Sequence, residues 1–569
     1  GIGKSALGAN TTGTQNVAVG SSALDANTTG QYNTALGFEA LGSNTTASNN
    51  VALGRSALFT NTTGANNIAV GLQALYTNST GQDNVAVGTL ALDANSTGNY
   101  NNALGSGSLG ANTTGVQNTA IGHAALHLNQ TGMNNTALGF YALLNNIGSG
   151  NIAIGSFCLD ANTTGGNNVA VGQSALGANT TASNNTAVGE SALAANTTGT
   201  ENTAIGAEAL ETNVSGSTNT ACGFRALEAN TDTGNSAFGA FSLYVNTSGT
   251  DNTAVGKSAL GANTTGNDNV AVGREALRQN TTASNNVAVG HEALEANTTG
   301  TNNVAVGNQA LVVNTTGAAN TAVGAFALDS LTTGQQNVAI GYQALGAATT
   351  SQETVAIGYR AGDAYTGAHH NVMIGWEAAG QATSGGNNIF IGTMAGNHDT
   401  VTLTGDKLTI VGARANGSAS DSTEEVCLGY NITGAGDNTF RVAASSGAFH
   451  TGNTTTWSTT SDRRIKKNIV DNNVGLDALS SIQVRNFEYK TKEEIISDSP
   501  ELEDVVEAAV VEKEGIQIGV IAQELEKILP ECVNTSSTGV KTVDSDNLTW
   551  YLINAIKELS AKVKALEAG

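Results

Sequence analysis

The sequence predicts a mostly β protein: a β-solenoid or β-roll rod of 17-residue repeats, a short β connector, and a small α+β domain that ends in a coiled-coil helix. Three observations carry this prediction. A Val-Ala-Val-Gly type of motif recurs at a fixed period over the first two thirds of the 569 residues. Glycine is abundant, with 70 residues, whereas the only two prolines, Pro500 and Pro530, lie near the C-terminal end. A row of leucine, isoleucine and valine at heptad spacing closes the chain.

The glycine of the motif sets the period of the rod. It occurs 24 times between Gly3 and Gly392, in 21 steps of 17 residues and two steps of 16. Both short steps lose a residue in the polar Asn-Thr-Thr-Gly tract, at 146–151 and 230–235, so this tract is predicted to be a turn. The Asn-x-Thr sequons in it are expected to serve the turn rather than to carry glycans. The motif glycine is predicted to need a positive φ or a close backbone approach. The glycine of the Asn-Thr-Thr-Gly tract is replaced by alanine in three repeats, so this position is not expected to have a left-handed backbone conformation.

The other slots of the repeat predict a thin rung. The residue before the glycine is apolar, the residue two before it is alanine in nearly every repeat, and leucine follows four residues later in 21 repeats, from Leu7 to Leu345. One rung per repeat at about 4.8 Å gives a rod of roughly 115 Å for the 24 rungs. We expect the core to hold the leucine, a valine or isoleucine of the strand, and the small residues. The central alanine of the strand, such as Ala18, is expected on the opposite face, where its small side chain admits another chain. This arrangement predicts a homotrimer along the rod.

Composition disfavours several classes of protein. The formal net charge of −23 makes the chain a poor nucleic-acid binder, and the absence of any apolar run of about 18 residues predicts no membrane insertion. The four cysteines have no paired spacing, which predicts neither a disulfide framework nor a zinc site, and Cys158 and Cys222 are expected in the core. No cofactor and no metal is predicted. The spacing of His123 and His127 does not make a metal pair in a β repeat, and His369–His370 is expected to face solvent.

Residues 1–397 form the predicted shaft, and residues 398–460 are predicted to be a β connector or tip. Short strands are expected in this connector within Val401–Gly405, Lys407–Val411 and Thr439–Val442. Trp457 is a candidate contact for a receptor, or an aromatic that closes the end of the rod.

The composition changes at Ser461, which marks the start of a predicted domain over 461–569. This segment holds thirteen basic and twenty acidic residues. A strand is predicted over Ile482–Tyr489, an exposed charged insertion over Lys490–Glu514, and a helix within Gly519–Pro530 that ends at the proline. Near the C-terminus the apolar residues step by four and three, which predicts association of chains in a coiled coil. They are Leu552, Ile556, Leu559, Val563 and Leu566. The alternative is an amphipathic helix that packs on its own domain.

Both parts of the chain resemble known families. The repeats over 1–397 resemble the β-roll heads of trimeric autotransporter adhesins and repeats in phage tail fibres. The domain over 461–569 closely resembles the intramolecular chaperone of phage tailspikes and endosialidases, on three motifs: Ser461–Ile469, Gly519–Pro530 and Leu552–Leu566. That resemblance implies a domain that trimerises, templates the folding of the β fibre before it, and then cuts itself off.

The same resemblance implies the catalytic residues. The nucleophilic serine and the lysine of the family fall on Ser461 and Lys466, and the scissile bond falls on Thr460–Ser461. A serine hydroxyl needs a base, and a lysine can be that base if burial lowers its pKa. The domain would then be a single-turnover serine autoprotease, whereas no turnover enzyme is predicted in the rod. The alternative is that Lys466 is one more exposed cation of the basic run 463–467.

The predicted function is a structural and receptor-binding phage tail fibre that matures by self-cleavage. Its expected partners are two further copies of the chain, a host cell-surface receptor such as a glycan or an outer-membrane component, and a virion attachment protein upstream. The chain begins inside a repeat and is interpreted as a fragment of a virion fibre that is assembled in the host cytoplasm.

Two alternatives remain, a bacterial trimeric surface adhesin and a glycan-cleaving tailspike. The predicted coiled-coil end, in place of a membrane anchor, favours the fibre over the adhesin. A glycosidase needs two facing carboxylates. The acidic residues of the variable slots are expected to form no converging cluster; they include Glu39, Glu190, Glu208 and Glu292.

Overall fold

The computed structural model describes residues 1–367, 369–397, 403–442, 449–451, 463, 468–499, 515–535 and 540–569. The chain divides into two compact units, Gly1–Thr460 and Ser461–Gly569. The first unit is a β-solenoid and the second a small α+β domain, as the sequence predicts.

Successive coils of the solenoid contribute short strands, each of three residues in the regular repeats, to a single parallel ladder. Equivalent residues of successive repeats pair with each other, so that Ala170 lies beside Ala187 and Val171 beside Val188. The strands at the regular period are β1 (Val17–Val19), β2 (Thr34–Leu36), β3 (Val51–Leu53), β4 (Ile68–Val70), β5 (Val85–Val87), β6 (Asn102–Leu104), β7 (Thr119–Ile121), β8 (Thr136–Leu138), β9 (Ile152–Ile154), β10 (Val169–Val171), β11 (Thr186–Val188), β12 (Thr203–Ile205), β13 (Thr220–Cys222), β14 (Ser236–Phe238), β15 (Thr253–Val255), β16 (Val270–Val272), β17 (Val287–Val289), β18 (Val304–Val306), β19 (Thr321–Val323), β20 (Val338–Ile340), β21 (Val355–Ile357), β22 (Val372–Ile374) and β23 (Ile389–Ile391).

The ladder continues beyond the regular repeats. The next strand, β24 (Thr409–Val411), pairs in parallel with β23 although the spacing between coils has lengthened by three residues. It is followed in parallel by β25 (Val426–Leu428) and β26 (Thr439–Val442), and β27 (Phe449–Thr451) closes the sheet as an antiparallel partner of β26. The described part of the connector therefore extends the solenoid rather than interrupting it.

The interior of the solenoid differs from the prediction. The central alanine of each strand points inward and is fully buried, as Ala170 is, together with the alanine and leucine of the following turn, such as Ala175 and Leu176. The valines on either side of the central alanine are only half-buried. The prediction that a strand valine or isoleucine fills the core is therefore wrong, and so is the expectation that the alanine ladder faces another chain. The interior already holds the turn leucine, so the strand can contribute only a small side chain, and the pleat sends both neighbours outward.

The cysteines follow the same division into inner and outer slots. Cys158 occupies an inner alanine slot and is fully buried, as predicted. Cys222 occupies the outer slot beside the motif glycine and is half-buried. The expectation that Cys222 lies in the core is wrong for the same steric reason.

The chain turns by means of four residues with positive φ in each coil. In one coil these are Gly172 (φ 135°), Ser174 (56°), Leu176 (52°) and Asn184 (62°). A Cβ atom at Gly172 would lie 2.3 Å from the carbonyl oxygen of the equivalent glycine in the next coil. The motif glycine thus needs both its positive φ and its close approach, as predicted. The three alanines that replace the second glycine of the repeat have no positive φ.

The last coils exchange large and small residues between two slots. Met373 and Phe390 replace the central alanine of the strand, and Gly362 and Gly396 replace leucines of the turns. A Cβ atom at Gly362 would lie 2.4 Å from Met373 Sδ, and one at Gly396 would lie 2.3 Å from Phe390 Cδ1. The strand centre and the turn leucine therefore share one volume inside the coil, which one large side chain fills.

The second unit packs a long helix on short elements. Its helices are α1 (Leu476–Ser480), α2 (Lys492–Asp498), α3 (Ala522–Leu525) and α4 (Ser545–Glu567), with a 3-10 turn at Pro530–Cys532. Two antiparallel pairs join β28 (Arg485–Phe487) with β29 (Gln517–Gly519) and β30 (Val533–Thr535) with β31 (Lys541–Val543).

A small core gathers these elements of the second unit. Leu525, Leu529, Cys532 and Tyr551 are buried in it. The predicted strand over 482–489 and the predicted helix over 519–530 both exist, but each is shorter than expected.

Candidate functional site

The residues predicted to cut the chain lie outside the described residues. This applies to Thr460, Ser461 and Lys466, and equally to the predicted receptor contact Trp457. The site is therefore described through the segment that follows it and the helix on which that segment lies.

Residues 468–475, which we call the arm, are hydrogen-bonded to α4. The carbonyl oxygen of Asn472 accepts a hydrogen bond from Asn554 Nδ2 at 2.8 Å, and Asn472 Nδ2 donates to the Tyr551 hydroxyl at 3.3 Å. At the end of the arm, the N–H of Leu476 donates to Glu558 Oε2 at 2.9 Å. Because Leu476 begins α1, the carboxylate of Glu558 supplies an acceptor to a helix N-terminus that lacks one of its own.

A carboxylate and a tyrosine extend this network. The Tyr551 hydroxyl donates a hydrogen bond to Glu531 Oε1. This bond lowers the pKa of Glu531 and raises the pKa of Tyr551. Together with the arm and α4, the two residues line a polar cleft of about 770 Å³.

Gly475 brings the end of the arm against the helix. A Cβ atom at this position would lie 2.5 Å from Glu558 Oε1 and 3.2 Å from the backbone nitrogen of Ala555. A larger residue at this position would therefore displace the Glu558 carboxylate.

The heptad positions of α4 lie on another face of the helix. Leu548, Tyr551 and Ala555 pack toward the core of the unit, but the predicted seam is exposed. Its members are Leu552, Ile556, Leu559, Val563 and Leu566. The helix thus has one apolar face for its own domain and a second that the described residues of one chain leave uncovered. The alternative that the seam packs on its own domain is not what the structure shows.

The solenoid also exposes an apolar face, which we call the outer stripe: the residues immediately before and after the central alanine of each strand. Large apolar side chains of this stripe remain more than a third exposed along its length. They include Val17, Leu36, Val51, Leu53, Ile68, Leu104, Ile121, Leu138, Ile152, Ile154, Ile205, Phe238, Val255, Val289, Ile340, Ile389 and Ile391. Isolated proteins rarely leave so continuous an apolar surface in contact with water.

Two rows of buried asparagines run along the coils, one in the polar turn and one immediately before the strand. In the first row, Asn179 Nδ2 donates to Asn162 Oδ1 of the preceding coil at 2.8 Å and to the carbonyl oxygen of Ala182 at 3.1 Å. In the second row, the N–H of Asn185 donates to Asn168 Oδ1 at 3.0 Å. The first row supplies the asparagines of the sequons, and these are buried. The prediction that the sequons serve the turn is confirmed.

Carboxylates do converge on the rod, contrary to the expectation from the sequence. Glu208 lies within reach of Glu211 and Glu228, and Glu292 within reach of Glu275 and Glu295, because residues of successive coils stack. Each cluster is paired with arginine.

In the first carboxylate cluster, Arg225 Nε lies 2.8 Å from Glu208 Oε2. In the second, Arg278 Nε donates to Glu295 Oε1 at 3.0 Å and an Arg274 nitrogen donates to Glu292 Oε1 at 3.2 Å. The clusters therefore act as ion pairs between coils and not as a pair of free carboxylates.

The histidines singled out in the sequence have separate environments. His123 stacks on Phe140 with ring centroids 5.5 Å apart, whereas His127 Nδ1 donates to the carbonyl oxygen of Gly107 at 2.7 Å. His370 Nε2 lies 3.1 Å from a carboxylate oxygen of Glu353. His369 Nδ1 accepts the backbone N–H of Gln352 at 3.1 Å.

An aromatic row near the end of the regular repeats was missed in the sequence. Tyr342 and Tyr359 stack with centroids 5.4 Å apart, and Tyr359 and Trp376 with centroids 6.3 Å apart. Their common slot, one residue after the motif glycine, was the available signal. Stacking stabilises the row and lets the rings cover one another's faces.

A repeat β-solenoid followed by a small domain with an exposed heptad helix defines the class: a fibrous protein with a C-terminal folding domain. Residues 461–534 match a peptidase family described as the chaperone of endosialidase. The rod and this domain together have the layout of an endosialidase-type tail fibre. The chain matches no curated protein. Within the described ranges, no helix combines the length and the apolar character needed to cross a membrane.

Proposed function

We propose that the chain is a trimeric phage tail fibre whose C-terminal domain drives assembly and then releases itself by cutting Thr460–Ser461. The observation that carries the proposal is a coincidence at one residue: the family match begins at Ser461, where the second compact unit also begins. A domain that starts at its own nucleophile can be cut from the fibre without loss of any part of the rod.

The proposed cleavage needs only Ser461, Lys466 and water. The Ser461 oxygen bonds to the carbonyl carbon of Thr460, and the hydroxyl proton passes to the neutral amine of Lys466. The carbon–nitrogen bond then breaks, and the nitrogen of Ser461 takes up that proton. Water hydrolyses the ester to the Thr460 carboxylate and restores the Ser461 hydroxyl. The attacking and attacked groups are adjacent in the chain, so correct positioning supplies much of the acceleration.

The intact mass of the purified protein tests cleavage. The wild-type chain should separate into residues 1–460 and 461–569, whereas Ser461→Ala and Lys466→Ala should remain whole and trimeric. Lys467→Ala, which removes the neighbouring cation, is the matched control and should be cut like the wild type. A wild-type trimer that stays full length, or cleavage of Lys466→Ala at the wild-type rate, would contradict the proposal.

The outer stripe and the seam of α4 support a trimer. In the rod, the stripe replaces the alanine ladder as the surface through which chains associate, because the alanines are buried inside each coil. Burial of valine, isoleucine and leucine along more than twenty coils supplies a large apolar contact area. At the C-terminus, the seam spacing of four and three residues is the pattern of a coiled coil.

Cys222 is a natural probe of this interface, since it belongs to the outer stripe and is the half-buried member of four free cysteines. Burial raises the pKa of the Cys158 thiol to about 12 and that of Cys427 to about 11, which keeps those thiols unreactive. Labelling with a maleimide should leave Cys222 untouched in the native trimer.

A seam variant, Leu559→Lys, supplies the comparison for Cys222. If light scattering shows that this variant is monomeric, its Cys222 should react with the maleimide. A trimer in which Cys222 reacts freely would place the interface on another face, and a stable wild-type monomer would refute the trimer.

We further propose that the fibre belongs to the virion and binds a host-surface receptor near its C-terminal tip, over 398–460, with Trp457 as a contact. Release of the chaperone domain would leave this segment at the end of the rod. Adsorption to host cells should fall for Trp457→Ala. Loss of adsorption on substitution of variable residues in the middle of the rod, with the tip intact, would assign binding to the flank.

A further inference from the structure

We propose that the hydrogen bonds between the arm and α4 position the cleavage segment, so that Asn472, Asn554 and Glu558 are positioning residues for self-cleavage. This inference rests on the proposed function. It adds a structural connection between the seam of α4, through which chains associate, and the position of the scissile bond. Lys466 lies six residues before Asn472 in the chain, so a fixed arm restricts where the cleavage segment can go.

Polar contacts hold the arm, because its apolar side chains are not buried. Val470 is 85% exposed, Ile469 56% and Val474 43%. In their place, Asn554 Nδ2 donates to the carbonyl oxygen of Asn472 at 2.8 Å and to that of Val474 at 3.4 Å. Loss of these few bonds would free the arm while the apolar core of the domain stays intact.

The helix that holds the arm is also the helix that carries the seam. Tyr551, Asn554 and Glu558 contact the arm or its end, whereas Leu552 and Leu559 are exposed on the seam. Successive residues of a helix lie about 100° apart around its axis, so the two rows are neighbouring faces of one rigid element. When three copies of α4 assemble through the seam, the arm of each chain becomes fixed relative to the assembly.

The contact at Gly475 shows that the arm lies directly on the helix backbone. A Cβ atom there would stand 3.2 Å from the Ala555 nitrogen and 2.5 Å from Glu558 Oε1. A side chain at position 475 would therefore push aside the Glu558 carboxylate that accepts the Leu476 N–H.

The test measures assembly and cleavage separately after refolding of the full chain. Glu558→Ala and Asn554→Ala should form trimers by light scattering but be cut at least ten-fold more slowly, since small displacements of reacting groups reduce rates steeply. Glu558→Gln keeps an oxygen that accepts the Leu476 N–H and should restore the rate. Lys557→Ala, an exposed neighbour on α4, is the matched control.

Asn472→Ala changes only the arm and leaves the helix and its seam as they are, so it tests the inference even if a helix variant assembles poorly. It should also slow cleavage in intact trimers. Cleavage of assembled Asn472→Ala and Glu558→Ala at the wild-type rate would overturn the inference alone. An uncut wild-type trimer would overturn self-cleavage itself, and the positioning role with it.

Discussion

Asn179→Ala tests whether the asparagine rows stabilise the rod. The side chain makes three hydrogen bonds: two donated by Nδ2, to Asn162 Oδ1 and the Ala182 carbonyl oxygen, and one accepted by Oδ1 from Asn196. The Ala182 oxygen keeps a second donor. Asn162 Oδ1 loses its donor, and the Nδ2 group of Asn196 keeps only its bond to the Gly199 carbonyl oxygen, so one oxygen and one N–H are left without a partner. The lost bond to Ala182 at about 1 kcal/mol and the two buried orphans at about 1–3 kcal/mol each predict a loss of about 3–7 kcal/mol per chain.

The rod already contains natural breaks in this row. Asn314 Oδ1 has no hydrogen-bond partner, because Leu331 occupies the position where the next asparagine would stand. Asn129 Oδ1, which precedes the first shortened turn, also has no partner. Orphaned oxygens in this row are thus tolerated, and the predicted loss should destabilise the rod locally without preventing assembly.

Hydrogen exchange followed by mass spectrometry measures the effect of Asn179→Ala, since contacts in a repeat array are mainly with neighbouring coils. Peptides spanning 162–196 should lose protection, and distant coils should keep theirs. Thr181→Ala, an exposed change in the same turn, is the control. Equal protection in the two variants would refute the argument that the row is a source of stability.

Three further changes test the turns and the C-terminal unit. Leu176→Ala should lower the free energy of unfolding by about 2–5 kcal/mol per chain. Leu176→Gly should melt no lower than Leu176→Ala, because glycine avoids the penalty of about 1–2 kcal/mol that other residues incur at a φ of 52°. A much lower melting temperature for the glycine variant than for the alanine variant would contradict this. Gly189→Ala, with φ 139° and a Cβ atom 2.4 Å from a carbonyl oxygen of the next coil, should prevent correct folding. Gly177→Ala, whose Cβ would meet its nearest atom at 3.2 Å, should fold, and equal solubility of both variants would count against this reasoning. The folded pKa of Glu531 is lowered, so its stabilising bond to tyrosine is present above the ordinary value of 4.5 and is lost as the pH falls through the folded pKa. Glu531→Gln should make the stability of this unit less sensitive to acid, as followed by circular dichroism, and an unchanged acid transition would exclude that role.

The strands and their register could be predicted from the period alone, but the side of the strand that faces inward could not. Alternation separates Ala170 from Val169 and Val171 without saying which set is inside. The strand residue that points inward shares its volume with the turn leucine, and this determines that the small alanine faces the interior. A signal was available in the last repeats, where the leucine disappears as the strand alanine becomes Met373 or Phe390.

The candidate site was accessible to sequence reasoning only through its family resemblance. Ser461 and Lys466 were assigned on motif positions, and their arrangement remains a prediction. The contacts of the arm could not be foreseen, because they join Asn472 to Tyr551 and Asn554, 79 and 82 positions further along the chain. No periodicity or local spacing connects residues so far apart.

The two shortened coils have a consequence for how such a fibre can change in evolution. In both, the strand keeps its register, Thr136 beside Ile152 and Thr220 beside Ser236, although a residue is missing from the turn. Whole coils can therefore be duplicated or lost, each changing the reach of the rod by about 4.8 Å. Meanwhile the corners can gain or lose single residues without disturbing the ladder. Reach and surface can thus be selected independently, since the first depends on the number of coils and the second on the corners.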